Sequence, residues 1–386
     1  MRRFTEEQNL FRDSYRRFIN EEIKPNMNDW RKAGIVDRSA FRKAGEQGFL
    51  MIWPDEKYGG LGDDDFRYEQ IIIEETARAG CTDWFNSLHS RLVGPYLQSF
   101  GTDEQRARFL PKCVTGESIL AVAMTEPDVG SDLASMRSTL KDEGDHLLLN
   151  GSKTYISNGI NADIVIVAAK PVDAEHSHAM TLVIVERGME GFERGRNLEK
   201  MGLKGQDTAE LFFNNVKIPK NNILGQEGKG FYHLMHGLAE ERLLGGVGYL
   251  AEARRAFDVT REFCMQRKVF GKYVSDMQNT QFKMAEMDTE IDMAQVYVDY
   301  CVSLHNQGKL TAIEGAKVKL MTSEIQGRMV DLGVQLHGGA GYMAEYEISR
   351  MYTDARISRI YAGTSEIMKL IIGREIFSDN YKSFLD

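Results

Sequence analysis

One acidic side chain, Glu241, stands among apolar and glycine residues in a segment with helical spacing. Glycines beside a helical carboxylate leave space for a flat ligand or a second backbone. Burial in such surroundings disfavours the charged form and makes the group a stronger base once it ionises. Glu241 is therefore a candidate general base, although a buried salt bridge to a neighbouring helix is an equal alternative and Arg242 fits either role. On a helical wheel of about 100° per residue, the residues within roughly 60° of Glu241 on either side are Leu234, Gly237, Leu238, Leu244, Gly245 and Gly248.

Metal, hydrolase and nucleotide-hydrolysing chemistry have weaker support. His233 and His236 lie at i, i+3 and His176 and His178 share a polar loop, but no HExxH string or Cys/His cluster accompanies them. No GxSxG elbow and no P-loop occur. We therefore predict no metal site. The four cysteines are widely spaced, form no CxxC pair and are too few to crosslink a chain of this length, so a reducing compartment is favoured. They are Cys81, Cys113, Cys264 and Cys301.

Two glycine strings invite a phosphate-binding interpretation. The string GVGYLA at residues 246–251 fits GxGxxA, but the helical stretch EERLLG precedes it where a dinucleotide fold needs a strand. The string GGAG at residues 338–341 fits an anion-binding nest and a plain helix-connecting turn equally well. Neither string establishes a nucleotide site.

Proline usage and periodicity divide the 386 residues into three zones. All seven prolines lie at or before Pro219, and the proline-free remainder predicts long helices. Two antiparallel helices are expected between about residues 230 and 306, with a break near 270–272. The predicted fold is mainly α with a β middle domain, divided into an N-terminal helical domain (1–120), a middle domain (121–226) and a C-terminal helical domain (227–386).

The middle zone reads as antiparallel strands, in a small barrel or sandwich. Alternating or β-branched runs are separated by Gly, Asn and Asp clusters, which is typical of such strands. The runs are SILAVAMTE, HLLLNGSKTYIS, ADIVIVAAK, AMTLVIVE and AELFFNNVKI.

Charge and hydropathy exclude several classes of protein. The chain has 57 acidic and 48 basic residues and a formal net charge of −9, which argues against a general nucleic-acid binder. No apolar run approaches the roughly 20 residues of a membrane-spanning helix, and the charged opening residues lack a signal-peptide segment. We expect a cytoplasmic protein, or one of the mitochondrial matrix if a transit peptide was removed.

The string AMTEPDVGSDLAS at residues 123–135 resembles the flavin-binding signature of the acyl-CoA dehydrogenase family. The resemblance continues in one register through KTYISNG (153–159), KMGLKGQDTAELFF (200–213), LGQEGKGF (224–231), EERLL (240–244), QRKVFGKYVSDMQNTQFKMAEM (266–287), QLHGGAGYMAEYEISRMYTDARI (335–357) and IYAGTSEIMKLIIGREI (360–376). So many ordered motifs do not agree by chance, and the chain is identified as a member of this family.

The resemblance implies a middle β-barrel, a C-terminal four-helix bundle, a homotetramer and FAD bound between barrel and bundle. Thr364 and Glu366 would close the site. Residues along the flavin and its pyrophosphate would be Thr125, Gly130, Ser131, Tyr155 and Ser157. Residues that meet the FAD of another subunit would be Arg267, Phe270, Gln278, Gln335 and Gly339.

The catalytic base of most family members is missing, because Ala362 stands where they carry a glutamate. Members of the long-chain and isovaleryl type instead place their base at the position that matches Glu241, directly before an arginine that matches Arg242. The strings EERLL, QLHGGAGYM and YAGTSEIMK look most like the long-chain type. The carboxylate selected on the helical wheel is therefore the one that the resemblance requires.

The activity implied is α,β-dehydrogenation of an acyl-CoA. Glu241 would remove the α-proton, FAD would accept the β-hydride, and an electron-transferring flavoprotein would reoxidise the cofactor. The N–H of Ala362 would polarise the thioester carbonyl. Arg242 and Ser131 would contact the CoA part and Tyr361 would line the thioester pocket. A branched or shorter acyl-CoA as substrate, and an oxygen-using acyl-CoA oxidase or flavin monooxygenase of the same fold, are the alternatives.

Overall fold

The computed structural model describes residues 4–174, 176, 178–379 and 381. In chain order these residues form a helical region, a region of strands and a second helical region. The predicted fold class is confirmed. Among the described residues, no helix is both long and apolar enough to cross a membrane.

Six helices precede the strands, and side-chain caps fix where several begin. Thr5 and Thr102 each form a capping box with a glutamine three residues later, and the Asp65 side chain accepts a hydrogen bond from Arg67 N. The helices are α1 (Glu6–Phe18), α2 (Met27–Ala33), α3 (Arg38–Glu46), α4 (Phe66–Arg78), α5 (Gly94–Phe100) and α6 (Asp103–Val114).

The middle region holds eight strands. They are β1 (Leu120–Ala123), β2 (Thr139–Asp142), β3 (His146–Ser157), β4 (Ile164–Pro171), β5 (Thr181–Glu186), β6 (Phe192–Asn197), β7 (Thr208–Pro219) and β8 (Ile223–Leu224). The five predicted runs correspond to β1, β3, β4, β5 and β7 and are confirmed. The strands β2, β6 and β8 were not predicted, because β6 (FERGRN) has little apolar content and β8 has two residues.

The strand arrangement corrects one detail of the prediction. The strands run in the order β6-β7-β3-β2-β4-β5-β8, with β1 on β4, so the sheet does not close into a barrel. Two pairings, β1 with β4 and β2 with β4, are parallel rather than antiparallel. Strand β4 is almost wholly buried, and a continuous apolar run of this kind is typical of strands with parallel neighbours, a signal that the prediction of antiparallel strands did not use.

The C-terminal region is built on three long helices. They are α7 (Gly230–Gln266), α8 (Gln278–Asn306) and α9 (Ala312–His337), followed by α10 (Glu347–Ala355) and α11 (Ser365–Ile376), which packs on α9. The predicted break falls in a hairpin of β9 (Lys268–Val269) and β10 (Lys272–Tyr273). Phe270 and Gly271 at its tip both have positive φ.

One apolar cluster joins all three regions. It contains Tyr96 and Leu97 of α5, Leu120 of β1, Met136, and Leu234 of α7. The beginning of α7, the helix α5 and one face of the sheet therefore share a core, and residues near this junction are held by three parts of the chain.

An ion-pair cluster also links the three regions. Arg31 of α2 pairs with Asp83 and donates two hydrogen bonds to Asp354 of α10, at 2.9 and 3.0 Å. The same carboxylates accept backbone N–H groups of the middle region, Gly205 N on Asp83 at 2.8 Å and Leu203 N on Asp354 at 2.6 Å. Both aspartates are buried, so one guanidinium compensates two buried carboxylates.

We predict that Arg31→Met strongly destabilises the protein. Loss of the guanidinium leaves two buried aspartates without a cation, and breaking such pairs costs about 3–5 kcal/mol. Thermal unfolding followed by circular dichroism measures the effect. The matched control is Lys32→Met. The Lys32 side chain is 79% exposed, and we expect its replacement to change stability by about 0.5 kcal/mol or less. Equal shifts for the two variants would contradict the cluster's role.

Candidate active site

Glu241 lies on α7 with its carboxylate against a tyrosine from the N-terminal region. Tyr96 Oη donates a hydrogen bond to Glu241 Oε1 at 2.7 Å, and both side chains are buried. Gly237, one turn before Glu241, makes this contact possible. A Cβ there would lie 3.1 Å from Tyr96 Oη, tighter than most real contacts.

The salt bridge considered for Glu241 forms instead at its neighbour. Glu240 lies 2.5 Å from Arg91 Nε and 3.1 Å from His305 Nε2. Among the residues that the structure describes, no salt bridge involves Glu241. The two adjacent glutamates thus differ in environment, one ion-paired and one held by a neutral hydroxyl.

This environment changes the acidity of Glu241. Burial raises its pKa to about 7, with a smaller contribution from the charge of Glu240, while the Tyr96 hydrogen bond and the charge of Arg242 oppose the rise. A carboxylate with a pKa near neutrality is suited to accept a proton and to release it again.

Two buried cations lie close to each other on this side of α7. Burial lowers the pKa of Arg242, and its Nε atom has no hydrogen-bond partner among the described residues. Lys319 of α9 is fully buried and donates to Gly363 O at 2.6 Å. Burial, together with the charge of Arg242, lowers the pKa of Lys319 to about 8. Sequence reasoning missed Lys319, since a lysine in a helix reads as exposed.

The segment that Lys319 holds carries Tyr361, Ala362 and Thr364. Ala362 has φ of +53°, an uncommon conformation for a residue with a Cβ, and its N–H makes no hydrogen bond within the described part of the chain. The Tyr361 ring stacks on Tyr249 of α7 at 6.1 Å between centroids. Thr364 caps α11 by accepting Ile367 N at 3.3 Å. Glu366, in the next turn, is exposed.

The residues of the predicted flavin signature lie in a loop anchored by a buried ion pair. Lys153 of β3 donates to Glu126 Oε1 at 2.8 Å and to Met124 O at 3.0 Å. Glu126 also accepts the N–H groups of Arg137 and Ser138, at 2.7 and 2.9 Å. This pair joins both ends of the loop that carries Thr125, Gly130 and Ser131. Glu126 and Lys153 both occur in the quoted motifs, but their contact could not be seen in the sequence.

Tyr155 and Ser157 lie on β3, directly after Lys153. Tyr155 is 69% exposed and has φ of +59°, so its ring is turned out from the strand rather than packed in the core. Thr154 N donates to Thr125 O at 3.0 Å, which holds Tyr155 beside the signature loop. The structure therefore brings together the residues predicted to lie along the flavin.

The residues predicted to meet the FAD of another subunit form a separate group. Arg267, Phe270 and Gln278 lie between α7 and α8, and Gln335 and Gly339 lie at the end of α9. The Phe263 and His337 rings stack at 4.2 Å and join these two segments. About 38 Å of α7 separates Glu241 from this end of the helix. The structure does not bring this group to the Glu241 of the same chain.

Several features fit a large flat cofactor with anionic groups. A Cβ at Gly130 or Gly339 would meet nothing within 4 Å, so both loops are open to a ligand. Tyr155 and Phe270 present exposed rings, 69% and 98% accessible. The unpartnered Nε of Arg242 is a buried donor that lacks an acceptor.

Two cavities were compared as places for the acyl group of a substrate. A cavity of about 60 Å³ runs along α7 from Leu244 past Gly248 to Glu252. A wider cleft of about 830 Å³ is lined by none of the predicted site residues, and four of its charged groups form ion pairs, Arg108 with Glu186 and Arg187 with Asp163. The smaller cavity, which is mainly apolar and begins one turn after Glu241, is the candidate acyl site.

The remaining candidate motifs have structural roles. Residues 246–251 lie inside α7 and do not follow a strand, so they do not form a dinucleotide-binding turn. Residues 338–342 form a 3-10 turn that ends α9, in agreement with the turn interpretation. The rings of His233 and His236 pack on Phe100 at 4.2 and 5.7 Å.

Comparison with known proteins identifies the family that the motifs resemble. Family models described as the N-terminal, middle and C-terminal domains of acyl-CoA dehydrogenase match residues 5–117, 121–216 and 228–377. The long-chain specific acyl-CoA dehydrogenase of Mus musculus mitochondria is 45% identical over 98% of this chain and 88% of its own. The mitochondrial isovaleryl-CoA dehydrogenase of Pongo abelii is 36% identical over 97% of this chain and 90% of its own.

A solved structure from the same family has a closely similar fold. The crystal structure of acyl-CoA dehydrogenase from Geobacillus kaustophilus superposes with a TM-score of 0.95 at 47% identity, and covers 98% of this chain and 100% of that one. With matching models over all three regions and relatives well above 30% identity, this chain belongs to the acyl-CoA dehydrogenase family.

Proposed function

We propose that this enzyme dehydrogenates long-chain acyl-CoA thioesters to trans-2-enoyl-CoA and passes the electrons to an electron-transferring flavoprotein. The observation that carries the proposal is the buried Glu241, held by Tyr96 rather than by a cation, beside an apolar cavity. The higher identity to the long-chain enzyme than to the isovaleryl enzyme supports the choice of substrate. The cytoplasmic location expected from the sequence remains a prediction, and the mouse relative is mitochondrial.

FAD is the cofactor of this family and supplies the acceptor of the substrate hydride. Thr125, Gly130 and Ser131 would hold it through the signature loop, with Tyr155 and Ser157 beside the ring system. The buried pair of Lys153 and Glu126 keeps that loop in place. The open backbone at Gly130 fits close approach of a phosphate or ring.

Glu241 would take the α-proton of the thioester. Its pKa near 7 leaves a useful fraction ionised at neutral pH, and burial makes the ionised form reactive. The Tyr96 hydroxyl fixes which way the carboxylate points. Catalysis by a positioned base needs both the protonation state and the geometry, and these two residues provide them.

The thioester carbonyl must be polarised because the α-proton is weakly acidic. Ala362 offers an N–H that has no partner among the described residues, and Lys319 holds the carbonyl of Gly363 so that this N–H keeps its direction. Arg242 and Ser131 would contact the CoA portion, and Tyr361 would line the thioester pocket.

The second group of residues supports a shared site between subunits. Phe270 is 98% exposed at the tip of its hairpin and Tyr342 is 82% exposed after α9. Exposed rings of this size mark contact surfaces. In a homotetramer, Arg267, Phe270, Gln278, Gln335 and Gly339 would hold the FAD of a neighbouring subunit.

We predict that Glu241→Gln keeps FAD but loses flavin reduction. The amide preserves shape yet cannot accept the proton, and a positioned base contributes about 10²- to 10⁴-fold. The measurement is anaerobic bleaching of the flavin by a panel of acyl-CoAs from four to eighteen carbons, including branched chains. Fastest bleaching by a short or branched chain would overturn the long-chain assignment. Rapid reoxidation of the flavin by oxygen would overturn the dehydrogenase assignment. Near wild-type bleaching in the variant would place the base elsewhere.

A second prediction concerns pH. kcat/KM of the wild type should rise with pH through about 7, because the free enzyme must hold Glu241 ionised. The Tyr96 hydrogen bond lowers the pKa of Glu241, so Tyr96→Phe should raise it and shift the rising limb to higher pH. The variant then loses more activity at pH 6 than at pH 9. Tyr58→Phe, in the same core without contact to Glu241, is the control, and an unshifted limb in Tyr96→Phe would contradict the assignment.

A third prediction tests the shared site. Arg267→Ala should weaken FAD retention in a neighbouring subunit, since a guanidinium is suited to hold pyrophosphate. Subunit exchange between Arg267→Ala and Glu241→Gln chains should create some sites with an intact base and an intact clamp. After exchange, we expect the activity to exceed the sum of the activities of the two variants. In a mixture without exchange, we expect no such excess. Strictly additive activity after exchange would mean that each subunit builds its own site.

A further inference from the structure

Two consecutive glutamates of α7, Glu240 and Glu241, are both held by one continuous helical segment of the N-terminal region. This segment is a π-helical turn over Leu88–Val93 that runs directly into α5. Arg91 Nε of the turn lies 2.5 Å from Glu240 Oε1, and Tyr96 Oη of α5 donates to Glu241 Oε1 at 2.7 Å. The contacts lie five residues apart on the segment and on adjacent residues of α7, so a shift of one contact displaces the other.

The Arg91 side chain is 5% exposed and is held on several sides. Its Nη1 atom donates to Asp64 Oδ1 at 2.6 Å, and its guanidinium lies 5.4 Å from the centre of the Phe66 ring. Because the N–H groups of a guanidinium form a rigid fork, Arg91 can hold Asp64 and Glu240 in fixed directions at the same time. Glu240 has a second partner in His305 Nε2 of α8, at 3.1 Å. The ion pair therefore fixes the segment against both α4 and α7.

Four elements bring charged or titratable groups to Glu240. They are Arg91 and Tyr96 on the helical segment, Glu69 on α4, His305 on α8 and Glu241 on α7 itself. Burial opposes ionisation of Glu240, but the charge of Arg91 and the contact with His305 outweigh it, so the pKa of Glu240 lies below its ordinary value. Glu240 is thus a fixed negative charge directly before the candidate base.

The Glu240 charge and the Tyr96 hydroxyl act on Glu241 in opposite directions. The Tyr96 hydrogen bond lowers the pKa of Glu241, and it does so by more than the charge of Glu240 raises it. The other charge that shifts this pKa is that of Arg242, which lowers it. Removal of Arg91 and Glu240 together would therefore lower the pKa of Glu241 if the pair acts by charge alone. It would raise the pKa if loss of the pair also releases the Tyr96 hydroxyl.

We propose that the ion pair of Arg91 with Glu240 positions the base, because it fixes the helical segment that presents the Tyr96 hydroxyl to Glu241. Arg91 and Glu240 are then positioning residues that act through Tyr96. Such an anchor matters because a misplacement of about 1 Å in a reacting group can lower a rate about 100-fold. The inference rests on the proposed function, since it takes Glu241 as the base.

The test measures kcat/KM for anaerobic flavin reduction by hexadecanoyl-CoA between pH 5.5 and 9.5. Four proteins are compared: wild type, Tyr96→Phe, the double variant Arg91→Met with Glu240→Gln, and the triple variant. Both partners of the ion pair are replaced, because removal of Arg91 alone would leave Glu240 buried without it.

The rising limb of the double variant should move to higher pH, as in Tyr96→Phe. A rise of about half a unit to one unit in the pKa of Glu241 lowers kcat/KM about 3- to 10-fold at pH 6 and changes it little at pH 9. In chains that already carry Tyr96→Phe, removal of the pair should give no such upward shift, because the hydroxyl through which it acts is gone.

Glu240→Gln alone is the matched control. Its amide oxygen can still accept from Arg91 while the negative charge is lost, so its rising limb should move slightly to lower pH. A double variant whose limb stays in place, or moves to lower pH like that of Glu240→Gln, would overturn the inference. An upward shift of equal size with and without Tyr96→Phe would overturn it too, since the pair would then act independently of the hydroxyl.

Arg91→Lys keeps the inference testable if the double variant loses FAD. The lysine retains the positive charge but cannot hold Asp64 and Glu240 together as the guanidinium does. Its rising limb should therefore also move to higher pH, and an unshifted limb would overturn the inference. Failure of every acyl-CoA to reduce the wild-type flavin would instead refute the proposed function itself.

Discussion

The site depends on a buried carboxylate, Glu241, that forms no ion pair with the residues that the structure describes. An ion pair would hold Glu241 ionised and occupied, whereas the Tyr96 hydroxyl orients it and leaves its pKa near 7. This arrangement requires the N-terminal region to stay docked on α7, because Tyr96 comes from α5. The cluster of Arg31, Asp83 and Asp354 supplies one such tie between regions. Loosening of the N-terminal region would therefore lower the stability of the protein and remove the Tyr96 hydrogen bond from Glu241.

The helix α7 organises the site along a single straight element. Its glycines lower helix propensity, by up to about 1 kcal/mol each relative to Ala, but two of them face neighbours that a side chain would displace. A Cβ at Gly246 would lie 3.0 Å from Val318, and one at Gly237 would crowd Tyr96. Packing against α9 and α4 compensates the lost propensity. The rigid rise of the helix then fixes the spacing between Glu241 and the cavity.

The sequence predicted what depends on local pattern. The helical wheel selected Glu241, and five β-branched runs located β1, β3, β4, β5 and β7. It could not show that Tyr96 meets Glu241, since the two are 145 residues apart in the chain. The openness of the sheet and the parallel pairs of β4 were missed for a similar reason, because strand pairing joins segments that are distant in the chain. Lysines that are fully buried, such as Lys153 and Lys319, contradict the usual expectation of exposure and needed the structure to reveal their partners.

The two buried cations near Glu241 would favour proton removal in the proposed reaction. When Glu241 accepts the proton its own charge would disappear, and negative charge would develop on the thioester oxygen instead. Arg242 and Lys319 are already desolvated, and neither pairs directly with Glu241. Lys319 fixes the strained backbone at Ala362 and Gly363, so the same residue that orients the N–H also contributes positive potential there. In the proposed reaction, charge would therefore move between two environments that the protein has already organised, and the solvent would need little rearrangement.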